Sequence, residues 1–437
     1  MSNVEIGLAM IVAMLFLVQS GLHVATSLLL LSFIGVWGIR GSLDVAGNIL
    51  ALSAFESISY YEFGVIPLFI VMGLLVSASG IGRDTFDVAA QIFRRVRGGL
   101  GMATVLANAM FAAINGTSIA SASVFTRIAV PELIRLGYTP RFAVGVVAGS
   151  SVLGMLIPPS LLLILFGIIA EISIGALFTA GILPGILLSV AFAATISLLV
   201  ILVPRFVTVD GQFRRDDELR LDFVTVLRKI APIVGLIGLV LGGIYGGVFT
   251  PVEAGGVGAL GALLVSALKG RLTPRMLWGV LVETGHVTAS IAFLLIAAHL
   301  YANMLALSGL PDAMGAWLGA NALSLPAMLA VYLVVIVLLG TILDAASIML
   351  ILLPLVLPVA ATFGLDMVWF GVVTVIAVEI GLLTPPLGIA CFVIKANLRD
   401  EGISLNDIFI GATPFAITMV IVLALVVAVP WFALALV

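Results

Sequence analysis

The sequence predicts an all-α polytopic membrane protein made of two inverted repeats, each with a re-entrant helical hairpin and a helix broken at a Pro-Pro pair. Three observations support this fold class. The 437 residues are 62% hydrophobic and 9% charged, with a mean hydropathy of +1.33, whereas soluble domains carry roughly 25% charged residues. Lysine and arginine concentrate at alternate ends of the apolar segments. Matching motifs recur in both halves of the chain.

Composition also excludes several classes of function. A net charge of -3 and a pI near 5.6 argue against a nucleic-acid partner. Cys391 is the only cysteine, so no intrachain disulfide forms, and His23, His286 and His299 lack metal-ligand spacing. The GxxxxGK[ST] motif of nucleotide-driven pumps does not occur. The sequence therefore indicates neither a redox or transition-metal site nor ATP hydrolysis by this chain.

Ten apolar stretches have the length and composition of membrane crossings. They are 4–20, 22–39, 62–80, 141–171, 174–204, 230–250, 252–268, 285–308, 367–398 and 413–436. Two more stretches, 99–134 and 324–362, are too long for one crossing and have small and polar residues at their centres, so we expect re-entrant hairpins. Segments 46–58, 86–98 and 273–284 mix charged and apolar residues and are expected to be interfacial amphipathic helices.

The positions of the basic residues orient these segments. Of the 19 Lys and Arg residues, 17 lie at segment ends that all face the same side of the membrane. In this arrangement the N-terminus faces the opposite side. These ends are 81–98, 135–141, 205–229, 269–275 and 395–402. Because basic residues favour the cytoplasmic side, both termini are predicted to be periplasmic. The polar stretch 205–229 then becomes a cytoplasmic connector between the halves.

Each half contains three crossings, a hairpin, a Pro-Pro-broken crossing and one further crossing. Five full crossings per half is an odd number, so the second half starts on the opposite face and the repeat is inverted. Two alignments support the match. GTSIASAS at 116–123 aligns with GTILDAAS at 340–347, and GMLIPPSL at 154–161 aligns with GLLTPPLG at 381–388.

The broken crossings predict one cation site in each half. Proline removes a backbone donor and frees carbonyls, which lipid tolerates only where they line a protein-enclosed cavity. Carbonyl and hydroxyl oxygens suit a hard ion such as sodium. The first predicted site comprises Asn115, Gly116, Thr117, Ser118, Gly154, Ile157 and Pro159; the second comprises Gly340, Thr341, Gly381, Thr384 and Leu387. The alternative is that these motifs only kink helices and let them pack closely.

Ionisable residues within the apolar segments are functional candidates by default, and three of them are the clearest cases. Arg127 and Asp344 lie on opposite hairpins, and Glu379 precedes the second break by two residues. One hypothesis is that Arg127 or a half-helix end attracts an anionic substrate while Asp344 tunes the nearby cation site. The alternative for Arg127 is that it pairs with a carboxylate or extends to the cytoplasmic face.

Over nearly its whole length, the chain resembles the large membrane subunit of TRAP (tripartite ATP-independent periplasmic) transporters, in the ion transporter superfamily. The motifs that carry the resemblance are NGTS at 115–118, GTILDAAS, the two Pro-Pro breaks and FTPVEAGGVGALGALL at 249–264. Family members often have serine where this chain has Asn115. The resemblance implies a sodium-driven, elevator-type importer of the bacterial inner membrane that is not an enzyme and uses Na+ but no organic cofactor.

The resemblance also implies partners and a division into two bodies. The partners are a periplasmic substrate-binding protein, which delivers an organic anion such as a carboxylate or sulfonate, and a small four-helix membrane subunit, expected here as a separate chain. A scaffold of 1–98, 172–323 and 403–437 would hold a transport domain of 99–171 and 324–402.

Two other functions compete with this one. The first is a sodium-coupled anion symporter that needs no binding protein, which the residues alone barely distinguish. The second is a proton-translocating subunit of a larger complex, which should carry core lysines. Lys229, Lys269 and Lys395 all lie near predicted segment ends, which disfavours it.

Overall fold

A computed structural model of the protein describes residues 1–209, 221–320, 324–398 and 402–437. Within these ranges the regular structure is helical, with one isolated antiparallel bridge between Tyr138 and Thr208. The predicted all-α fold class is confirmed. Residues 210–220 of the predicted connector 205–229, which include Arg214, Arg215 and Arg220, lie outside the described residues, as does Arg399.

The first repeat contains twelve helices, of which the 29-residue α11 is the longest. They are α1 (Asn3–Gln19), α2 (Val24–Arg40), α3 (Leu43–Ser59), α4 (Val65–Ala78), α5 (Ile81–Phe93), α6 (Gly99–Asn115), α7 (Ser118–Arg135), α8 (Pro140–Ser151), α9 (Leu153–Leu156), α10 (Leu161–Ile169), α11 (Ile174–Leu202) and α12 (Pro204–Val207). A 3-10 turn at Tyr61–Gly64 precedes α4.

The described part of the second repeat follows the same order with fewer, longer helices. They are α13 (Phe223–Tyr245), α14 (Pro251–Leu268), α15 (Pro274–Ser308), α16 (Leu310–Ala320), α17 (Leu325–Gly340), α18 (Ala345–Thr362), α19 (Met367–Leu383), α20 (Ile389–Asn397), α21 (Leu405–Ala428) and α22 (Trp431–Leu434). The counterparts of α2, α4, α8 and α11 are α14, α15, α19 and α21.

Eight helical segments in the described ranges are long and apolar enough to cross a membrane. Seven of them coincide with predicted crossings: Tyr61–Ala78, Pro140–Ile169, Ile174–Leu202, Phe223–Tyr245, Pro251–Leu268, Pro274–Ser308 and Leu405–Ala428. The eighth is Ala345–Thr362, the second arm of a predicted hairpin. The three other predicted crossings correspond to the 17-residue apolar helices α1, α2 and α19.

Several predicted boundaries are wrong. Segment 86–98 belongs partly to α5, which begins at Ile81 and ends at Phe93, and crossing 230–250 belongs to α13, which begins at Phe223. Segment 273–284 is not a separate helix, because α15 runs unbroken from Pro274 for 35 residues. The sequence of α15 becomes more apolar near residue 285, but a change of polarity does not end a helix unless a cap or a break is present. The last crossing starts at Leu405, where the Ser404 cap forms a capping box with Asp407, and ends before Pro430 rather than running over 413–436.

Both predicted hairpins fold as helix pairs. In the first, α6 ends at Asn115 and α7 begins at Ser118; in the second, α17 ends at Gly340 and α18 begins after Asp344. Both predicted breaks also occur, at 157–160 between α9 and α10 and at 384–388 between α19 and α20. The Pro158–Pro159 and Pro385–Pro386 peptide bonds are both cis.

Packing between the repeats follows the inverted symmetry. Helix α2 packs against α15, and α4 packs against α14. Helix α8 packs against α21, and α11 packs against α19. Exchanging the repeats converts the first contact of each pair into the second, as a pseudo-two-fold relation requires. The hairpin helices interlock in the same way, since α7 contacts α20 and α18 contacts α10.

Candidate ion and substrate sites

The first hairpin tip lies directly against the first break. Gly116 ends α6 with φ of 71°, a left-handed conformation that glycine adopts without steric cost. Its carbonyl accepts a hydrogen bond from the Leu161 amide at 3.1 Å. A Cβ added to Gly116 would lie 2.6 Å from the Pro159 carbonyl oxygen. The tip and the break are therefore in backbone contact.

A second close approach joins the tip to α9. A Cβ added to Gly154 would lie 2.6 Å from the Thr117 carbonyl oxygen and 2.9 Å from the Ser118 amide nitrogen. Ile157 lies in the extended segment that follows α9. The structure thus brings the predicted first-site residues of the tip and of the break together, although 36 to 44 residues separate them in sequence.

This contact region contains backbone oxygens without partners. Among the residues that the structure describes, the carbonyls of Ile157 and Pro159 accept no hydrogen bond. Pro158 cannot donate to the Gly154 carbonyl, as a helical residue there would. The Asn115 amide donates to the carbonyl and hydroxyl oxygens of Thr117, both at 3.1 Å, and so holds the tip in place. Free carbonyls next to a hydrogen-bonded tip fit a hard cation.

The second tip and break meet through glycines. A Cβ on Gly381 would lie 2.6 Å from the Gly340 Cα atom. The Thr341 carbonyl accepts a hydrogen bond from the Leu387 amide at 3.1 Å, a tip-to-break bond like that of the first repeat but displaced by one aligned position at each end. The Thr384 hydroxyl donates to the Ile380 carbonyl at 2.7 Å and keeps its oxygen available as an acceptor. The carbonyl of Leu387 accepts no hydrogen bond within the described ranges.

The two regions differ in exposure. In the first, Ser118 is 1% exposed, Asn115 is 6% exposed, and the prolines of the break are buried. In the second, Leu387 is 43% exposed and both prolines are exposed, while Thr341 remains buried. In this conformation the first region is closed within the protein and the second is open at the break.

The three ionisable candidates separate in space. Glu379 lies beside the second break in sequence, but its carboxylate reaches the first tip, where the Ser118 hydroxyl donates to Oε1 at 2.9 Å. Asp344 is exposed and caps α18, accepting from the Ser347 amide at 3.1 Å and from its hydroxyl. It stands three residues from Thr341, at the second tip. A negative charge is favourable at that helix N-terminus.

Arg127 is not part of either tip. It lies nine residues after Ser118 on α7, about 14 Å along the helix axis at 1.5 Å per residue. Its Nε and Nη2 atoms donate to the amide oxygen of Asn397 at 3.0 and 2.6 Å, and the Ser123 hydroxyl donates to the same oxygen at 3.0 Å. The arginine is exposed. The partner that the structure describes is therefore an amide and not the carboxylate that one sequence hypothesis expected.

Two residues of these sites carried no signal in the sequence. Asn397 ends α20 in a polar stretch where an asparagine is unremarkable, and its importance follows only from the contact with Arg127. Ser121 is fully buried one helical turn after Ser118, and its hydroxyl has no hydrogen-bond partner in the described part of the chain. A buried, unpartnered hydroxyl is recognisable only once the fold is known.

Known proteins resemble this chain over almost its whole length. The family described as "Tripartite ATP-independent periplasmic transporter, DctM component" matches residues 10–432. The C4-dicarboxylate TRAP transporter large permease protein DctM of Pseudomonas aeruginosa is 32% identical over 406 residues, covering 91% of this chain and 93% of that protein. The sialic acid TRAP transporter large permease protein SiaM of Vibrio cholerae is 29% identical, covering 89% and 88%.

A longer relative and a solved structure extend these comparisons. The isethionate TRAP transporter permease protein DctMQ of Oleidesulfovibrio alaskensis is 30% identical over 400 residues, which are 90% of this chain but 61% of that protein. A crystal structure of the YdaH transporter of Alcanivorax borkumensis superposes with a TM-score of 0.60 over 89% of this chain and 90% of that one. At 12% identity, this likeness concerns the fold alone.

Proposed function

This chain belongs to the DctM component family of tripartite ATP-independent periplasmic (TRAP) transporters, and we propose that it is a sodium-coupled importer subunit that moves a small organic anion by an elevator mechanism. It is a transport protein of the inner membrane with several crossings, not an enzyme. The observation that carries the proposal is the pair of tip-and-break contacts, each bordered by at least one carbonyl that accepts no hydrogen bond from the residues that the structure describes.

Sodium is the coupling ion that these contacts favour. Sodium is a hard ion and takes carbonyl and hydroxyl oxygens, which are the groups that the breaks release. The first proposed site uses Asn115, Gly116, Thr117, Ser118, Gly154, Ile157 and Pro159; the second uses Gly340, Thr341, Gly381, Thr384 and Leu387. Closing a tip on its break without an ion leaves polar backbone unsatisfied, which costs free energy and couples closure to ion binding.

The membrane potential drives such a cycle. Moving one elementary charge through 100 mV is worth about 2.3 kcal/mol, so two sodium ions entering with a monoanion gain about that much from voltage alone. The sodium concentration gradient adds to this driving force. No nucleotide is needed, in line with the absence of a GxxxxGK[ST] motif from the sequence.

The proposed substrate class is a small carboxylate or sulfonate. The names of the relatives specify C4-dicarboxylate, sialic acid and isethionate, all of which are organic anions. In this chain Arg127 and the half-helix N-termini supply positive potential to such an anion, and Asp344 tunes the charge at the second tip. Asn397, which holds the Arg127 guanidinium, would position it.

The proposed partners complete a three-component system. They are a periplasmic binding protein that delivers the anion and a small four-helix membrane subunit. The relative named DctMQ is longer than this chain, consistent with fusion of a further component in that protein, and we propose a separate chain here. Both termini are proposed to be periplasmic, with the connector 205–229 in the cytoplasm, from the distribution of basic residues.

The proposed moving body is the transport domain 99–171 and 324–402, carried by a scaffold of 1–98, 172–323 and 403–437. One contact bears on the last boundary. An added Cβ on Gly145 of α8 would lie 2.1 Å from the Gly411 carbonyl oxygen of α21, so the two backbones touch. If α21 stays with the scaffold, α8 must slide past this contact; if α21 moves with α8, the transport domain extends to the C-terminus.

Reconstitution tests the function and its main alternatives. The chain is placed in proteoliposomes with candidate partner proteins, and uptake of labelled anions is measured with an inward gradient of sodium, an inward gradient of protons, or ATP alone. We expect uptake with sodium only, and only when the binding protein is present. Sodium-driven uptake without the binding protein would support the self-sufficient symporter, proton-driven uptake the proton-translocating class, and ATP-driven uptake would refute secondary transport.

Cross-linking tests the elevator. A Cβ on Gly82 of α5 would lie 2.6 Å from Val124 Cγ1 of α7, so two Cβ atoms there are at most about 4.1 Å apart with a C–C bond of about 1.5 Å. That separation suits a disulfide. In a Cys391→Ala background, oxidation of Gly82→Cys/Val124→Cys is expected to reduce uptake at least about tenfold, because the disulfide locks the scaffold to the hairpin. Dithiothreitol should restore uptake.

A matched pair within the proposed scaffold gives the control. A Cβ on Gly255 of α14 would lie 3.0 Å from Leu68 Cβ of α4. Oxidised Leu68→Cys/Gly255→Cys should keep its uptake, because both residues belong to one body. Full uptake by the oxidised Gly82/Val124 pair, with cross-linking verified on a gel, would contradict movement of the hairpin against α5.

A further inference from the structure

Glu379 is a carboxylate in an unusual position. It lies in the interior of the apolar helix α19, with the residue 1% exposed. Its only hydrogen bond among the described residues is the one that its Oε1 atom accepts from the Ser118 hydroxyl, and its Oε2 atom has no partner. None of the ion pairs that the structure describes includes it.

The contact of Glu379 crosses between the repeats. Ser118 is the first residue of α7 in the first repeat, 261 residues before Glu379 in the second. Ser118 also lies close to Gly154, since a Cβ added to Gly154 would lie 2.9 Å from the Ser118 amide nitrogen. The carboxylate therefore lies next to the tip-and-break contact of the opposite repeat.

A charged carboxylate at this buried position needs a positive partner. An isolated ionised carboxylate in a medium of low dielectric constant is strongly unfavourable, and buried charges are paired or coordinate metal ions. Two hydroxyl oxygens lie on one face of α7: that of Ser118, which contacts Glu379, and, one turn later, that of the buried Ser121, which has no partner in the described ranges. Oxygen ligands around a negative charge suit a hard monovalent cation.

We propose that Glu379 of the second repeat provides the negative charge that holds the cation at the first tip-and-break site, through its contact with Ser118. This inference rests on the proposed sodium coupling and deepens it. Ion binding at the first site then requires α19 of the second repeat to be in place. The bound ion therefore ties the two repeats together.

The second site lacks an equivalent. When GMLIPPSL is aligned with GLLTPPLG, position 379 corresponds to Val152, which is buried and apolar. The carboxylate near the second tip is Asp344, which is exposed and already engaged in capping α18. The first site should therefore bind sodium more tightly than the second.

The test measures ion binding without transport. The purified chain in detergent is heated in increasing NaCl, with choline chloride added to constant ionic strength, and the melting temperature is recorded. Sodium should raise the melting temperature of the wild type. In Glu379→Gln, which keeps the shape and removes the charge, the sodium concentration for half the effect should rise at least about tenfold, equivalent to about 1.4 kcal/mol of binding free energy.

Controls separate charge from packing. Glu283→Gln makes the same chemical change on an exposed face of α15 and should leave the sodium response unchanged. In choline chloride alone, Glu379→Gln should melt no lower than the wild type, because a buried unpaired charge has been removed. If Glu379→Gln does not fold, Glu379→Asp and Ser118→Ala replace it, and both should weaken the sodium response while retaining the charge.

The possible outcomes are distinct. A wild type with no sodium response would refute the proposed sodium coupling itself. A wild type that responds while Glu379→Gln responds at the same concentration would overturn the role of Glu379 and leave sodium coupling intact. A loss of melting temperature in choline chloride with an unchanged sodium midpoint would likewise reduce Glu379 to a packing residue.

Discussion

Valine at position 381 is expected to abolish uptake. A Cβ there would lie 2.6 Å from the Gly340 Cα atom and 3.0 Å from the Val337 carbonyl oxygen, so it meets backbone and not the movable end of a side chain. Either α17 or α19 must shift, which separates the second tip from its break. We expect Gly381→Val to lower anion uptake in proteoliposomes at least about 100-fold, equivalent to about 2.7 kcal/mol.

A glycine with free surroundings provides the comparison. Gly238 lies on the exposed face of α13, and nothing is within 4 Å of an added Cβ. Gly238→Val should retain uptake within about twofold, since exposed substitutions usually change stability by less than about 0.5 kcal/mol. Gly381→Val protein that is correctly inserted and fully active would show that close approach of Gly340 and Gly381 is not needed for transport.

The repeat architecture was predictable because its signals are local. Small and polar residues at 116–123 and 340–347 interrupt apolar runs that are too long for one crossing, and a polar turn between two apolar arms defines a hairpin. The Pro-Pro pairs mark the breaks by removing backbone donors. These rules act within a few residues, so hairpins and breaks appear where the pattern indicates.

Other features depend on distant contacts and have no local signal. Glu379 adjoins the second break in sequence, yet its carboxylate contacts Ser118 of the first tip because the inverted repeats interlock. Asn397 acquires a role only by accepting hydrogen bonds from Arg127. The boundary error near residue 285 has a different origin. The hydropathy pattern there reflects a change of surroundings along α15, but a helix ends only at a cap or a break.

Gly116→Ala is expected to impair sodium-dependent uptake because it disturbs the close approach of the first tip to its break, in addition to straining the backbone. Gly116 has φ of 71°, where a left-handed conformation costs an alanine about 1–2 kcal/mol. The added Cβ would also lie 2.6 Å from the Pro159 carbonyl oxygen, one of the proposed sodium ligands. We expect Gly116→Ala to raise the sodium concentration for half-maximal uptake at least about tenfold, equivalent to about 1.4 kcal/mol.

Gly247→Ala matches the strain without the contact. Gly247 has φ of 65°, lies exposed between α13 and α14, and has no atom within 4 Å of an added Cβ. Both variants lose stability through the left-handed residue, so both should melt at lower temperature than the wild type. Only Gly116→Ala pushes against the break, so only it should change the sodium dependence. An equal sodium dependence in the two variants would mean that the Pro159 carbonyl can move away from the tip without loss of ion binding, and would remove it from the proposed ligand set.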